Sequence, residues 1–264
     1  MVPTTPSKQN SRTKLHRPNQ LRLCGHSFKK TQLRPHLKKM WCIPPKQNAA
    51  FVACMEDILD LYQQPFDENY PVICMDEKPY QLLDERREPI AMKAGSSQKI
   101  DNEYERMGTC SVFVFTEPLG GWRHVHAREH RTKVDWAYEV KELLTVHFSD
   151  VSKVRLVCDN LNTHNLSSLY EAFPAVEARE LVKRLVIHYT PMHGSWLNIA
   201  EVELSVLSRQ CLDERIDELD LLNERLLAWE QSRNSSQKGV DWQFTTKDAR
   251  IKPEIPLNYI YAAV

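Results

Sequence analysis

P-V-I-C-M-D at 71–76 is the stretch whose reading decides the fold. Val72, Ile73, Cys74 and Met75 run together with no polar interruption. An apolar run that short predicts a strand covered on both faces. The pattern recurs downstream: K-V-R-L-V-C-D at 153–159 predicts a second such strand, and R-L-V-I-H-Y-T at 184–190 a third. Strands of this kind need helices to cover them, and the intervening segments supply them. V-D-W-A-Y-E-V-K-E-L-L-T-V-H-F at 134–148 sets Val134, Trp136, Ala137, Val140, Leu143 and Leu144 on one face of a helix. Two shorter helical patches lie between 163 and 183. T-C-S-V-F-V-F-T (109–116) and W-R-H-V-H-A (122–127) flank P-L-G-G and predict a hairpin. Helical spacing at Phe51, Met55, Ile58 and Leu59 predicts a helix over 49–62, and two more are expected at 195–212 and from 217 to 230. The fold class is therefore α/β, a mixed central sheet flanked by helices.

Two of the predicted strands end in aspartates, Asp76 and Asp159. Ligands and catalytic groups gather at the carboxyl ends of strands in helix-covered sheets. A carboxylate placed there is costly unless hydrogen bonds or a cation satisfy it. A third acid comes from M-H-G-S-W-L-N-I-A-E at 192–201. At about 100° per residue, Leu197, Ala200, Leu204, Leu207 and Cys211 form the inward arc of the 195–212 helix. Glu201 falls at the border of that arc, whereas Glu203 falls on its other side and is the weaker candidate. Three carboxylates at one sheet edge suit Mg²⁺ or Mn²⁺ rather than zinc. Two such ions can activate a nucleophile and stabilise the leaving oxygen of a phosphodiester.

The chain has 264 residues and a net charge of zero, which conceals a division. Residues 1–55 hold eleven Lys and Arg and no acid, leaving 24 bases against 35 acids in 56–264. A basic arm on an acidic body points to a polyanionic partner for the arm. No apolar run reaches the roughly 18 residues of a membrane span. The first ten residues lack the apolar core of a secretory signal. Seven cysteines without a C-x-x-C pair fit reduced thiols and a cytoplasmic location.

C-M-D-E-K-P (74–79), V-C-D-N-L-N-T-H (157–164) and H-Y-T-P-M-H-G-S-W-L-N-I-A-E (188–201) together resemble the three blocks of bacterial insertion-sequence transposases of the mariner superfamily. The likeness extends over about 28–252, through R-R-E-P, Y-E-R-M-G-T, G-W-R-H-V, T-K-V-D-W, L-S-V-L-S-R-Q-C-L and F-T-T-K-D-A-R-I-K. Any one block is a weak signal, but three in order with these linking words are specific. The resemblance implies an RNase H-like fold and a DDE catalytic triad of Asp76, Asp159 and Glu201 binding Mg²⁺, with Mn²⁺ as a substitute. It also implies cutting of DNA at element ends by water, then joining by a 3′-OH; a homodimer is one possible assembly, and the sequence leaves the oligomeric state open. No nucleotide cofactor is implied, and the chain has no G-x-x-x-x-G-K loop. The carboxylates alone also fit another RNase H-like nuclease or a truncated, non-catalytic DNA-binding relic or regulator.

The expected organisation is a basic arm and DNA-binding remnant at 1–46, a helical linker at 47–70, the catalytic domain at 71–234 and an irregular tail at 235–264. Members of the family usually carry a helix-turn-helix region before the catalytic domain, and residues 1–26 do not match it. Lys29, Lys30, Lys38 and Lys39 lie in a short basic helix expected at 27–41 and are candidate phosphate contacts. Asn160, Asn162 and His164 follow the second aspartate, where they would orient it, touch a phosphate or cap a helix. His188 and His193 bracket the third block as further DNA-contact candidates. His124, His126 and His130 have spacing that invites zinc, but no soft ligand lies beside them, and the sequence reading leaves them without a metal. Glu77 points away from Asp76 along a strand. Cys74 and Cys158 are read as core, and so are Trp122, Trp136 and Trp196. Ser195 lacks the context of a nucleophile.

Overall fold

The computed structural model describes residues 49–236, 239–240 and 242–251. These residues belong to one unit, running from 41 to 264. The predicted arm and its lysines 29, 30, 38 and 39 lie outside the described residues.

Five strands form one mixed sheet in the order β3-β2-β1-β4-β5. They are β1 (Val72–Glu85), β2 (Tyr104–Glu117), β3 (Trp122–Arg128), β4 (Val154–Cys158) and β5 (Leu185–Tyr189). β1, β2 and β3 pair antiparallel, while β4 and β5 run parallel to β1. The helices are α1 (Ala49–Tyr62), α2 (Lys133–Glu142), α3 (Leu166–Ala172), α4 (Ala175–Arg184), α5 (Ala200–Gln210), α6 (Leu219–Ser236) and α7 (Thr246–Ile251).

Alternation along the strands sorts the core into two sides of the sheet. Ile73, Met75, Phe113, Phe115, Leu156 and Cys158 pack with Trp136, Val140, Leu144, Leu169 and Leu181, beneath α2, α3 and α4. On the opposite side Cys74 and Val157 meet α1 and the Trp196–Ala200 segment. Val112, Val114, Val125 and Ala127 meet Leu204, Leu207, Leu222 and Leu226 of α5 and α6. Burial of aliphatic side chains at roughly 25 cal/mol per Å² makes these two layers the main source of stability.

The structure corrects several sequence expectations. β1 does not stop at Asp76 but runs on to Glu85, paired beyond Cys74 with β2 alone. Its far half is an edge, which is why Pro79 is tolerated there. The 134–148 helix is α2 followed by a π turn, Leu143–His147, and Val134 is exposed rather than inward. The helix expected over 195–212 is broken: a 3₁₀ turn at Ser195–Leu197 precedes α5. Asn198 lies between them in an extended conformation, and its side-chain oxygen accepts the Ala200 N–H. α6 is longer than its predicted core. Within the tail expected to be irregular, α7 forms, and Ala249 joins Val240 in the core against α1.

Candidate active site

Backbone register aligns the two aspartates. β1 and β4 pair as Val72 with Arg155, Ile73 with Leu156 and Cys74 with Val157. The aspartates follow just beyond this paired stretch, Asp76 two residues after Cys74 and Asp159 two residues after Val157, close enough for their charges to interact. Asp76 has the parity of Cys74 and so faces the α1 and α5 side, while Asp159 lies just past the end of β4.

Glu201 reaches the same place through a buried clamp. Asn198 Nδ2 donates to the carbonyl oxygen of Met75 at 2.8 Å, while its oxygen accepts from Ala200 N. The first turn of α5 is thereby fixed beside β1, one residue from Asp76. The electrostatics follow from this convergence. Burial, with added repulsion from Glu201, Glu77 and Asp159, pushes the Asp76 carboxyl up to about 7. Only one hydrogen bond opposes the shift, from Glu77 N to Asp76 Oδ1 at 2.8 Å. Among the described residues, no Lys, Arg or His pairs with Asp76 or Glu201.

Glu203 has a different fate. It is fully buried, its carboxylate 2.8 Å from Arg123 of β3 and 3.1 Å from Arg233 of α6. That pairing makes it a structural anchor of α5.

Asp159 is held from behind by a chain of charges that spacing did not reveal. His164 Nδ1 donates to Asp159 Oδ1 at 2.6 Å, and its Nε2 lies 2.9 Å from Glu77 Oε2. Arg131 approaches the other Glu77 oxygen at 3.4 Å. Burial by itself would lower the His164 pKa, but the Asp159 and Glu77 carboxylates outweigh it and lift it to about 9. The imidazole stacks on Trp136 at 5.8 Å between centroids. Glu77 does point to the face opposite Asp76, as strand parity requires, and it is through His164 that it acts on the acid edge.

A family model for DDE superfamily endonucleases matches residues 71–223, more than half of the chain and all three carboxylates. The chain belongs to this DDE endonuclease family. Solved structures agree on the fold. The Mos1 strand transfer complex superposes with a TM-score of 0.54 at 12% identity, over 88% of this chain and 66% of that one. The Mos1 mariner paired-end complex with Mn gives 0.51 at 11%, over 82% and 67%. A pre-cleavage Mos1 transpososome gives 0.51 at 12%, over 82% and 69%. The DDE endonuclease chain thus spans about two thirds of their length and shares their RNase H-like fold. No curated protein sequence matches it.

The remaining predicted residues separate by exposure. Asn160 and Asn162 are exposed on the loop after β4, whereas Asn165 is the residue that caps α3, accepting from Ser167 N. His164 is buried, so its partner is Asp159 and not a phosphate. His188 donates to Asp57 of α1 at 2.7 Å, which ties β5 to that helix. His193 is exposed, with a left-handed φ of 63°. Ser195 is exposed, and Cys74, Cys158, Trp136 and Trp196 are core. No helix among the described residues is long and apolar enough to cross a membrane.

Proposed function

We propose that this chain is a DNA transposase that cuts phosphodiester bonds at element ends and joins the freed 3′-OH to target DNA. The observation that carries the reading is the convergence of Asp76, Asp159 and Glu201 from three distant segments onto one edge of the sheet. Asp76, Asp159 and Glu201 are hard oxygen donors, among the described residues Asp76 and Glu201 have no cationic partner, and a carboxyl held up at about 7 is relieved by a divalent cation. These residues therefore fit Mg²⁺ or Mn²⁺. Bound there, the ions supply charge neutralisation for the attacking and leaving oxygens of the phosphodiester.

The chain's own residues do the positioning. His164 fixes the orientation of Asp159 by its 2.6 Å hydrogen bond, while the Asp159 side chain remains 38% exposed and open to a strand of DNA. Asn198 sets Glu201 beside Asp76. Asn160, Asn162 and His193, all exposed, are phosphate contacts in this reading. The basic stretch of residues 1–55, with Lys29, Lys30, Lys38 and Lys39, supplies further contacts. The Mos1 structures are paired-end and strand-transfer complexes, which supports DNA as substrate and a homodimer as the working form. The likeness of the three sequence blocks to bacterial insertion-sequence transposases is what favours a bacterial cytoplasmic, nucleoid-bound setting.

Incubation with Mg²⁺ and DNA carrying the element's own ends tests the reading. Specific cutting at the ends, followed by joining to a target duplex, is expected. Nicking without end preference or joining would replace it with a plain nuclease, and cutting that survives EDTA would remove the acid site altogether.

A further inference from the structure

On the opposite face of the sheet from Asp76, side chains from three elements bring metal-ligating atoms together. His124 and His126 sit at alternate positions of β3, opposite Phe115 and Phe113, and therefore point toward α2. His147 and Glu142 come from the π turn and the residue before it. π turns are rare and often mark functional positions. The hydrogen bond from Phe148 N to Leu143 O, 2.9 Å, shows the i to i+5 pattern. Widening the turn in this way brings Glu142 and His147, five residues apart, onto one side. Glu142 Oε1 lies 3.9 Å from His124 Nε2 and 4.0 Å from His147 Nε2.

Two independent features point to a ligand there. First, His124 Nε2 and His147 Nε2 are both buried and have no hydrogen-bond partner among the described residues. Buried polar atoms are seldom left unsatisfied without a reason. Second, the other nitrogen of His124 is already committed. Its Nδ1 lies 3.1 Å from Glu230 Oε2, an oxygen that also accepts from Val125 N at 2.9 Å. A carboxylate accepts, so Nδ1 carries a proton, and Nε2 is the atom that faces Glu142. A carboxylate holding the far nitrogen of an imidazole is the usual support of a metal-bound histidine.

We infer that His124 Nε2, His147 Nε2 and Glu142 form a binding site for a zinc-type divalent transition-metal ion, separate from the acid edge. Imidazole with carboxylate is a donor set that suits such ions. Donor distances of about 2.0–2.1 Å at tetrahedral angles put ligand atoms about 3.3 Å apart. The three atoms lie within 4.8 Å of one another, so closure onto an ion needs shifts of about half an ångström. The neighbouring group of His126, Glu139 and Glu142 also meets that limit, but Glu139 Oε1 is taken by His126 and Arg128. The ion clips the edge strand β3 to the end of α2 and leaves its fourth position to water. Sequence spacing sets zinc aside at His124 because no soft ligand lies beside it; its partners in space, His147 and Glu142, come from a segment whose π turn no periodicity reveals.

The test is zinc binding to the full chain in excess Mg²⁺, read by competition with a chromophoric chelator, and by Co²⁺ absorption. One equivalent is expected to bind, and Asp76→Asn is expected to leave it bound. His147→Gln, at the rim of the cluster, and His124→Gln should each weaken that equivalent at least tenfold and abolish its Co²⁺ spectrum. Glu230→Gln should weaken it about 10–100-fold. A folded His147→Gln chain that binds zinc as tightly as the parent, with an unchanged Co²⁺ spectrum, overturns the site. So does a parent chain that retains no zinc, or one that loses it on Asp76→Asn.

Discussion

Asn198 and Met75 are joined by a buried hydrogen bond, the side-chain amide donating to the backbone carbonyl at 2.8 Å. They come from segments 123 residues apart, and the bond ties the start of α5 to the middle of the sheet. Asn198→Ala leaves the Met75 carbonyl and the Ala200 N–H without their partner, at a cost of about 1–3 kcal/mol. In the transposase reading it also loosens Glu201. Urea denaturation and a cleavage assay on the same protein should both register the change. Asn198→Asp should be worse, because an acceptor then faces a carbonyl.

Glu201 and Glu203 should separate cleanly by mutation. Glu201→Gln is expected to keep the fold and abolish cutting. Glu203→Gln removes the carboxylate between Arg123 and Arg233, and breaking a buried pair of this kind costs about 3–5 kcal/mol. Melting curves alongside activity decide the matter: a stable Glu203→Gln protein that cannot cut, beside an active Glu201→Gln protein, would reverse the roles.

Asp76 sets a pH dependence whose sign is fixed by its raised pKa. A folded-state value of about 7, above the ordinary 3.8, means that its favourable contribution is complete below about pH 3.8 and lost as pH rises through 7. Metal-free protein is therefore destabilised by this group at pH 8. Asp76→Asn should raise the melting temperature at pH 8 in EDTA and change it little near pH 4. Added Mg²⁺ should stabilise the parent at pH 8 and do so much less for the variant.

His164 is a positioning residue for Asp159. Replacing it with Gln removes the cation shared by Asp159 and Glu77, and metal affinity at the acid edge should fall about 10–100-fold. The expected signature is a higher Mg²⁺ concentration at half-maximal cleavage. A purely structural role would lower the melting temperature and leave that midpoint in place.

Binding by the basic arm should be electrostatic. If about six of its eleven bases meet phosphates, log K should fall against log salt with a slope near about −5. Deleting residues 1–46 should flatten the slope for cognate and scrambled DNA alike. A preference for the element's own ends on the order of a thousandfold would show sequence-specific recognition instead.

The sequence by itself determined where the strands lie along the chain, though not their full length, and set Asp76 and Asp159 directly after two apolar runs. Uninterrupted apolar runs encode a doubly covered strand locally, through burial of every side chain, and an aspartate after such a run is conspicuous. It also put Glu201 at a rim, because helical periodicity is local as well. The tertiary structure decided everything that depends on charge partners arriving from elsewhere. Glu203 is internal because Arg123 and Arg233 neutralise it from β3 and α6. His164 faces Glu77 only because β1 and β4 pair in one particular register. The break before α5 is likewise tertiary: residues 195–212 carry one continuous helical pattern, yet Asn198 leaves it to reach the Met75 carbonyl. A buried polar side chain must find its partner across the fold, and periodicity along the chain holds no information about where that partner lies.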